Sequence, residues 1–209
     1  MTRLTKTWTI LLSLLFFAAC SNPASDQPQA VTKDAAPATS APAGGQRYVI
    51  TPENSKIEFI GSKVTGSHNG SFQKFSGNID YAGAPEKSRV QMTIDMTSVN
   101  TDAAKLTEHL KTADFFDVAK YPQATFQSTQ ITSGGEKGAT HTITGNFQLH
   151  GVTKSVSFPA TIAVSGDTAT VDSTFAINRK DFGVSFAGMS NDLIRDEVVI
   201  KLAIRAAKG

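Results

Sequence analysis

Arg89-Val90-Gln91-Met92-Thr93-Ile94-Asp95-Met96 alternates polar and apolar side chains without a break, and only an extended strand with one wet and one dry face satisfies that order. The period of two returns near the C-terminal end, where Val198, Ile200, Leu202 and Ile204 alternate with Val199, Lys201, Ala203 and Arg205. Looser versions run through Lys56 to Val64, Phe72 to Tyr81, Ala124 to Ile131, Thr140 to Leu149, Lys154 to Val164 and Thr168 to Ile177. Together they make about eight strands, divided by turn signals such as Ser133-Gly134-Gly135 and Ser165-Gly166-Asp167. An all-β barrel or sandwich of antiparallel strands follows, and a closed barrel leaves no strand edge exposed.

Thr101 to Thr112 departs from the period of two. Leu106 and Leu110 recur at the i, i+4 spacing of one helix face, and Thr101 or Asp102 can cap the start, so a short helix is expected over about 101–112. Phe115 and Phe116 follow it, and Pro122 then forces an extended entry into the next strand. The helix is expected to pack over a barrel mouth or side, with Asp114 and Asp117 capping the turns around the aromatic pair.

The N-terminal region reads as a label and a spacer. Arg3 and Lys6 precede an apolar run from Trp8 to Ala19 that is too short to span a bilayer, and the small pair Ala18-Ala19 stands before Cys20. Residues 1–19 are therefore expected to be a lipoprotein signal peptide and Cys20 the acylated residue, although Phe17 stands where such signals usually carry leucine. Two or more acyl chains of the palmitate type would hold the protein stably on a membrane, and Ser21 resembles the residue that permits sorting to a bacterial outer membrane. Residues 20–45 are expected to be the acylated cysteine and a disordered tether rich in Pro, Ala, Ser and Thr, followed by a single domain over 46–209. Cys20 is the sole cysteine, so no disulfide within the chain supports the domain.

Charge and motifs narrow the function. Lys and Arg number 20 and Asp and Glu 18, so loss of Arg3 and Lys6 with the leader leaves the two equal, and no basic run remains for nucleic acid. Gly183-Val184-Ser185-Phe186-Ala187 misses the final glycine of a nucleophile elbow, no phosphate-binding glycine loop occurs, and His68, His109, His141 and His150 stand singly. Catalysis is therefore not expected, and neither is a metal or a cofactor. A small hydrolase using His68, His109 or His150 with a carboxylate is the weaker alternative. Phenylalanines are abundant, and an eight-stranded barrel either fills itself with them or holds one small apolar ligand.

The run His109-Leu110-Lys111-Thr112-Ala113-Asp114-Phe115-Phe116-Asp117-Val118-Ala119-Lys120-Tyr121-Pro122, with Gly151-Val152-Thr153-Lys154 and Arg179-Lys180-Asp181-Phe182-Gly183, resembles the YceI-like family. Gly70-x-Phe72, Ile94 to Thr101 and Asp196-Glu197-Val198 extend the resemblance over almost the whole domain, with Phe147 and Gln148 where the family pattern often has leucine and threonine. The resemblance implies an eight-stranded antiparallel lipocalin-like barrel whose lumen takes a polyisoprenoid lipid, of quinone or polyprenyl phosphate type. On strand parity the lumen would be lined by Phe59, Val90, Met92, Ile94, Phe126, Phe147, Phe158 and Phe175. Leu106, Leu110, Phe115 and Phe116 would form a helical lid. Arg179 would contact an anionic head group, or else pair with Asp181 and fix its turn. The expected setting is a bacterial envelope, in the periplasm, anchored most simply to the outer membrane. A homodimer is compatible with this reading, and a solid barrel that binds a protein partner in envelope stress is the alternative to a lipid carrier, store or sensor.

Overall fold

The computed structural model describes residues 22–37 and 45–209. The expected leader, Cys20 and the 38–44 part of the expected tether lie outside the described residues. In chain order the strands are β1 (Val31–Asp34), β2 (Gln46–Ile50), β3 (Lys56–Lys63), β4 (Gly66–Phe72), β5 (Phe75–Tyr81), β6 (Arg89–Asp95), β7 (Val99–Thr101), β8 (Gln123–Ser133), β9 (His141–Leu149), β10 (Val152–Ser165), β11 (Thr168–Asn178), β12 (Gly188–Met189), β13 (Asp192–Leu193) and β14 (Glu197–Lys208). A single α-helix among the described residues, α1 (Ala104–Lys111), lies between β7 and β8.

β14 closes the barrel. One of its edges pairs with β11 from Thr168↔Ala207 to Asn178↔Glu197, and the other takes β3 at Lys56 to Ile60 and β2 at Tyr48 and Val49. From β11 the ring runs through β10, β9, β8, β6 and β5 back to β2, each neighbour antiparallel to the last. The result is a closed eight-stranded antiparallel barrel, one of the two architectures the alternation allows and the one the resemblance implies.

Three walls are kinked. β2 with β3, β4 with β5 and β6 with β7 each form one long strand broken near its middle, so that β5 pairs β2 and β6 while β4 pairs β3 and β7. The break after β6 is a tight turn in which the Asp95 carboxylate accepts the Thr97 N–H at 2.9 Å. Ser98 Oγ, from the same turn, accepts the Lys74 N–H at 3.0 Å in the break between β4 and β5. Adjacent kinks are thereby locked together, and α1 packs on β7 beyond them.

Three expectations are corrected. The helix is shorter than 101–112, and neither proposed cap acts as one: its N-cap is Ala103, without a side-chain hydrogen bond. Thr101 instead exchanges bonds with Thr107 Oγ1, and the Asp102 carboxylate turns to β4, accepting the Asn69 N–H at 2.7 Å. β4 itself was not expected, because Gly66-Ser67-His68-Asn69-Gly70 lacks apolar alternation; pairing with β3 and β7 holds it extended. Finally, residues 22–37 are not a disordered tether. Val31–Asp34 pairs with β10, and Ala24 is buried against Ala176, Val199 and Ile60.

Gly70 shows why β4 carries a glycine. It is the cross-strand partner of Phe59, and a Cβ there would lie 2.1 Å from the Phe59 ring tip. Gly70→Ala is expected to tip that ring out of place and cost about 1–3 kcal/mol, the range for overpacking a core. Urea denaturation checks this, with Gly61→Ala, where a Cβ meets nothing within 4 Å, as the neutral comparison.

Candidate functional site

Because successive strand residues face opposite sides, the apolar set of every wall converges inside the barrel. The space it leaves is not filled. A cavity of about 110 Å³ is bounded by Ile50, Ile57, Phe72, Ile79, Val90, Met92, Ile94, Phe126, Ile143, Phe147, Val156, Phe158, Val171, Phe175, Ile177, Ile200, Leu202 and Ile204, all of them apolar. A second, of about 130 Å³, lies towards α1, between Phe59, Phe72, Met96, Leu110, Phe115, Phe116, Leu149, Val184, Ile194 and their neighbours. Phe72, Ile94, Phe147, Ile177 and Ile200 line both, so the two are halves of one lumen. Neither half presents a hydrogen-bonding side chain except Arg179 in the second. Such a lumen offers shape and apolar contact and no means of reading a polar ligand along its length.

Of the residues expected from strand parity, as lid and as head-group contact, all but Leu106 border this lumen. Val90, Met92, Ile94, Phe126, Phe147, Phe158 and Phe175 line the first half, and Phe59, Leu110, Phe115, Phe116 and Arg179 the second. Leu106 does not reach either half. It sits one helical turn before Leu110 and packs, half-buried, on the cluster around Phe59 and Val99. Parity reasoning missed Phe72, which touches Phe59 and Phe116 at ring-centroid distances of 5.7 and 6.1 Å and so links wall to lid. It also left out Ile200, Leu202 and Ile204, although their alternation in the last strand was plain.

With this geometry in view, comparison with known proteins is decisive at the level of family. The model of the YceI-like domain matches residues 48–206. The chain belongs to the YceI-like family. A UPF0312 protein of Pseudomonas putida is 35% identical over 140 residues, covering 64% of this chain and 72% of that protein. Another from Azotobacter vinelandii is 37% identical over 150 residues, covering 66% and 76%. Among solved structures, BcnA of Burkholderia cenocepacia superposes with a TM-score of 0.65 at 29% identity, over 76% of this chain and 99% of BcnA. A polyisoprenoid binding domain from Saccharophagus degradans superposes with a TM-score of 0.62 at 19% identity, over 79% of this chain and 99% of that one, and so shares the fold.

In this YceI-like domain Arg179 has work close to home. Its Nη1 donates to the Val184 carbonyl at 2.6 Å, Nε to Arg195 O at 3.0 Å and Nη2 to Ile194 O at 3.4 Å. The acidic partner is Asp196, with Oδ1 3.6 Å from Nη2, and not Asp181, the partner offered as the alternative to a head group. The guanidinium is buried, which pulls its pKa below the ordinary arginine value, and the Asp196 charge opposes that shift. Any head group reaching Arg179 would compete with the carbonyls of its own loop, 183–196.

That loop has a second clamp. Lys63 Nζ binds the Asp192 carboxylate, Thr65 Oγ1 donates to it at 2.9 Å, and these contacts hold Asp192 below the usual carboxylate range. Such stabilisation is present above the unfolded carboxylate pKa of about 3.9 and disappears only as pH falls through the lower folded value.

Each candidate histidine has a partner of its own. His68 Nδ1 lies 2.7 Å from Asp102 Oδ1, and the Asp102 pKa is lowered first by the Asn69 N–H and then by His68. His109 Nε2 lies 2.8 Å from Asp114 Oδ2, while its ring meets Phe115 and Phe186 edge-on. Asp114 therefore holds a helix side chain, a role the sequence reading had given to turn capping. His150 takes a positive φ of 51° before Gly151 at 77°, forming the two-residue turn between β9 and β10, and its ring packs on Tyr121. No group of three His, Cys, Asp or Glu side chains able to hold a metal occurs among the described residues.

Proposed function

We propose that this protein is a lipid-anchored envelope protein that keeps the tail of a long isoprenoid lipid, of quinone or polyprenyl phosphate type, in its barrel lumen. The observation that carries the reading is the lumen itself, whose first half is walled by apolar side chains alone and whose second half ends under α1 and the Phe115-Phe116 pair. Transfer of hydrocarbon from water contributes about 0.8 kcal/mol per CH₂, so a tail of several isoprene units binds well without polar contacts. Methionines at positions 92 and 96 give the wall side chains that adapt to a branched, flexible chain. The shared fold with a domain described as polyisoprenoid-binding supports the same ligand class. The role is to carry, store or sense that lipid, with the head group left at an opening of the barrel.

Solvent extraction of the full chain purified from a bacterial envelope, followed by lipid mass analysis, tests this. An isoprenoid lipid is the expected find, and recovery of only bulk phospholipid would count against it. The anchor has its own test. Cys20→Ser is expected to move the protein from the outer-membrane fraction to the soluble periplasmic fraction with its melting temperature unchanged, and membrane retention after a carbonate wash would refute acylation at Cys20.

A further inference from the structure

The barrel wall has a split along one of its seams. β10 and β11 pair only from Thr161↔Asp172 to Ser165↔Thr168. Continued in that register Ser157 would face Ala176, yet Ser157 pairs with Val31 and Ala176 bridges to Gln29. Residues 28–34 thus stand between the two strands, antiparallel to β10 and parallel to β11. Ala30 N donates to Ala176 O at 2.8 Å, and Ala176 N to Pro28 O at 2.9 Å. At the fork the Ser173 hydroxyl donates to the Pro159 carbonyl. On the lumen side Phe158 and Phe175 stack across the split with centroids 4.3 Å apart and planes at 8°. Both rings line the first half of the lumen, and Ile177, on the same stretch of β11, lines both halves.

What fills the split is held by backbone pairing with β10 and by the Asn146 side-chain amide, which donates to Ala36 O at 2.7 Å and accepts from Ala36 N at 2.9 Å, with little apolar burial to add to them. The buried residues of the 22–37 arm are Ala24 and Pro28, both small, while Val31, Lys33 and Asp34 are exposed. The pair between Asp34 and Lys154, at 3.0 Å, lies on the surface, where it contributes little. A segment with so little apolar anchorage opens locally far more cheaply than the wall around it. Its departure leaves β10 and β11 joined over this stretch by the Ser173–Pro159 hydrogen bond at the fork and by one ring stack directly above the cavity.

We propose that the split between β10 and β11 is a side portal to the lumen and that residues 28–34 are its gate. The inference rests on the lumen being the ligand site. Pro28, the first residue of the gate, follows Cys20 by eight positions in the chain, so an acylated Cys20 keeps the gate close to the membrane that supplies an apolar ligand. The geometry favours this route over the lid end because one short strand must move, whereas α1 and the 183–196 loop are clamped by Arg179, Lys63 and the Phe115 cluster.

A reversible staple tests the gate. Val31 and Ser157 are direct antiparallel partners, at a spacing that suits a disulfide. Val31→Cys with Ser157→Cys is made in the full chain carrying Cys20→Ser, so that no other thiol is present. Uptake and release of the apolar fluorophore N-phenyl-1-naphthylamine are followed by stopped flow in the oxidised and reduced forms. The portal predicts both rates at least about tenfold slower when oxidised, with equilibrium affinity kept within about twofold and speed restored by reductant. Equal rates in the two forms would overturn it and assign entry to the lid end. Hydrogen exchange of the unstapled protein needs no ligand: the Ala30 and Ala176 amides are expected to exchange at least about a hundredfold faster than those pairing β9 with β10. Equal protection would show a fixed ninth stave and no gate, even if the fluorophore fails to bind. An intact gate in a protein that takes up the fluorophore but no isoprenoid would instead overturn the proposed ligand.

Discussion

Met92→Glu is expected to abolish uptake of an apolar ligand and to destabilise the protein by about 3–5 kcal/mol, the cost of leaving a charge buried without a partner. Met92 is buried on β6, and no side chain around its half of the lumen donates a hydrogen bond. The carboxyl therefore escapes the cost by staying protonated, so its folded pKa rises above the unfolded value of about 4.3. The sign follows. A group with a raised folded pKa does no electrostatic harm below the unfolded pKa, and its penalty grows as pH climbs from there to the folded pKa. Chemical denaturation at pH 4 and pH 8 should show the gap to the unmodified protein widening at the higher pH. Met92→Leu, a nearly volume-conserving swap, should cost less than about 1.5 kcal/mol and keep binding. A Met92→Glu protein with unchanged stability at pH 8 would place the side chain outside the lumen.

Arg179→Ala is expected to cost about 2–4 kcal/mol, because three carbonyls lose a charged donor at once and Asp196 loses one of its two cationic neighbours. Arg179→Lys should recover only part of this, since an ammonium cannot reproduce the planar fork that reaches Val184, Ile194 and Arg195 together. Val184 and Ile194 both line the second half of the lumen, so the loosened loop should also weaken ligand binding. Acting through the loop, the loss should be equal for a polyprenyl phosphate and for a bare polyprenyl hydrocarbon. A loss confined to the phosphate would show that the guanidinium reaches the head group. The urea midpoint, amide exchange over 183–196 and the two affinities check the account.

The barrel was legible wherever one face of a strand is dry. Arg89 to Met96 and Val198 to Arg205 give the sidedness of β6 and β14 directly, and with it most of the lumen wall. Legibility failed where backbone pairing, not side-chain burial, makes the strand. β4 is polar along most of its length and extended because β3 and β7 flank it. Residues 28–34 read as spacer for the same reason: their only large apolar side chain, Val31, is exposed, and only the open seam between β10 and β11 gives them a place. The acidic partner of Arg179 was out of reach in sequence too. Asp181 is two residues away, but the turn at Gly183, with φ of 75°, sends the chain round so that Asp196 arrives beside the guanidinium.

The central claim is that the lumen, and not the surface, holds a single isoprenoid chain. Native mass spectrometry of the protein mixed with a polyprenyl phosphate, with Met92→Glu run in parallel at a pH where it remains folded, tests this most directly. The account predicts one lipid per protein that survives desolvation and is lost in the Met92→Glu protein. Multiple lipids in a statistical series, or equal adducts on both proteins, would contradict it and move the ligand to the outside of the barrel.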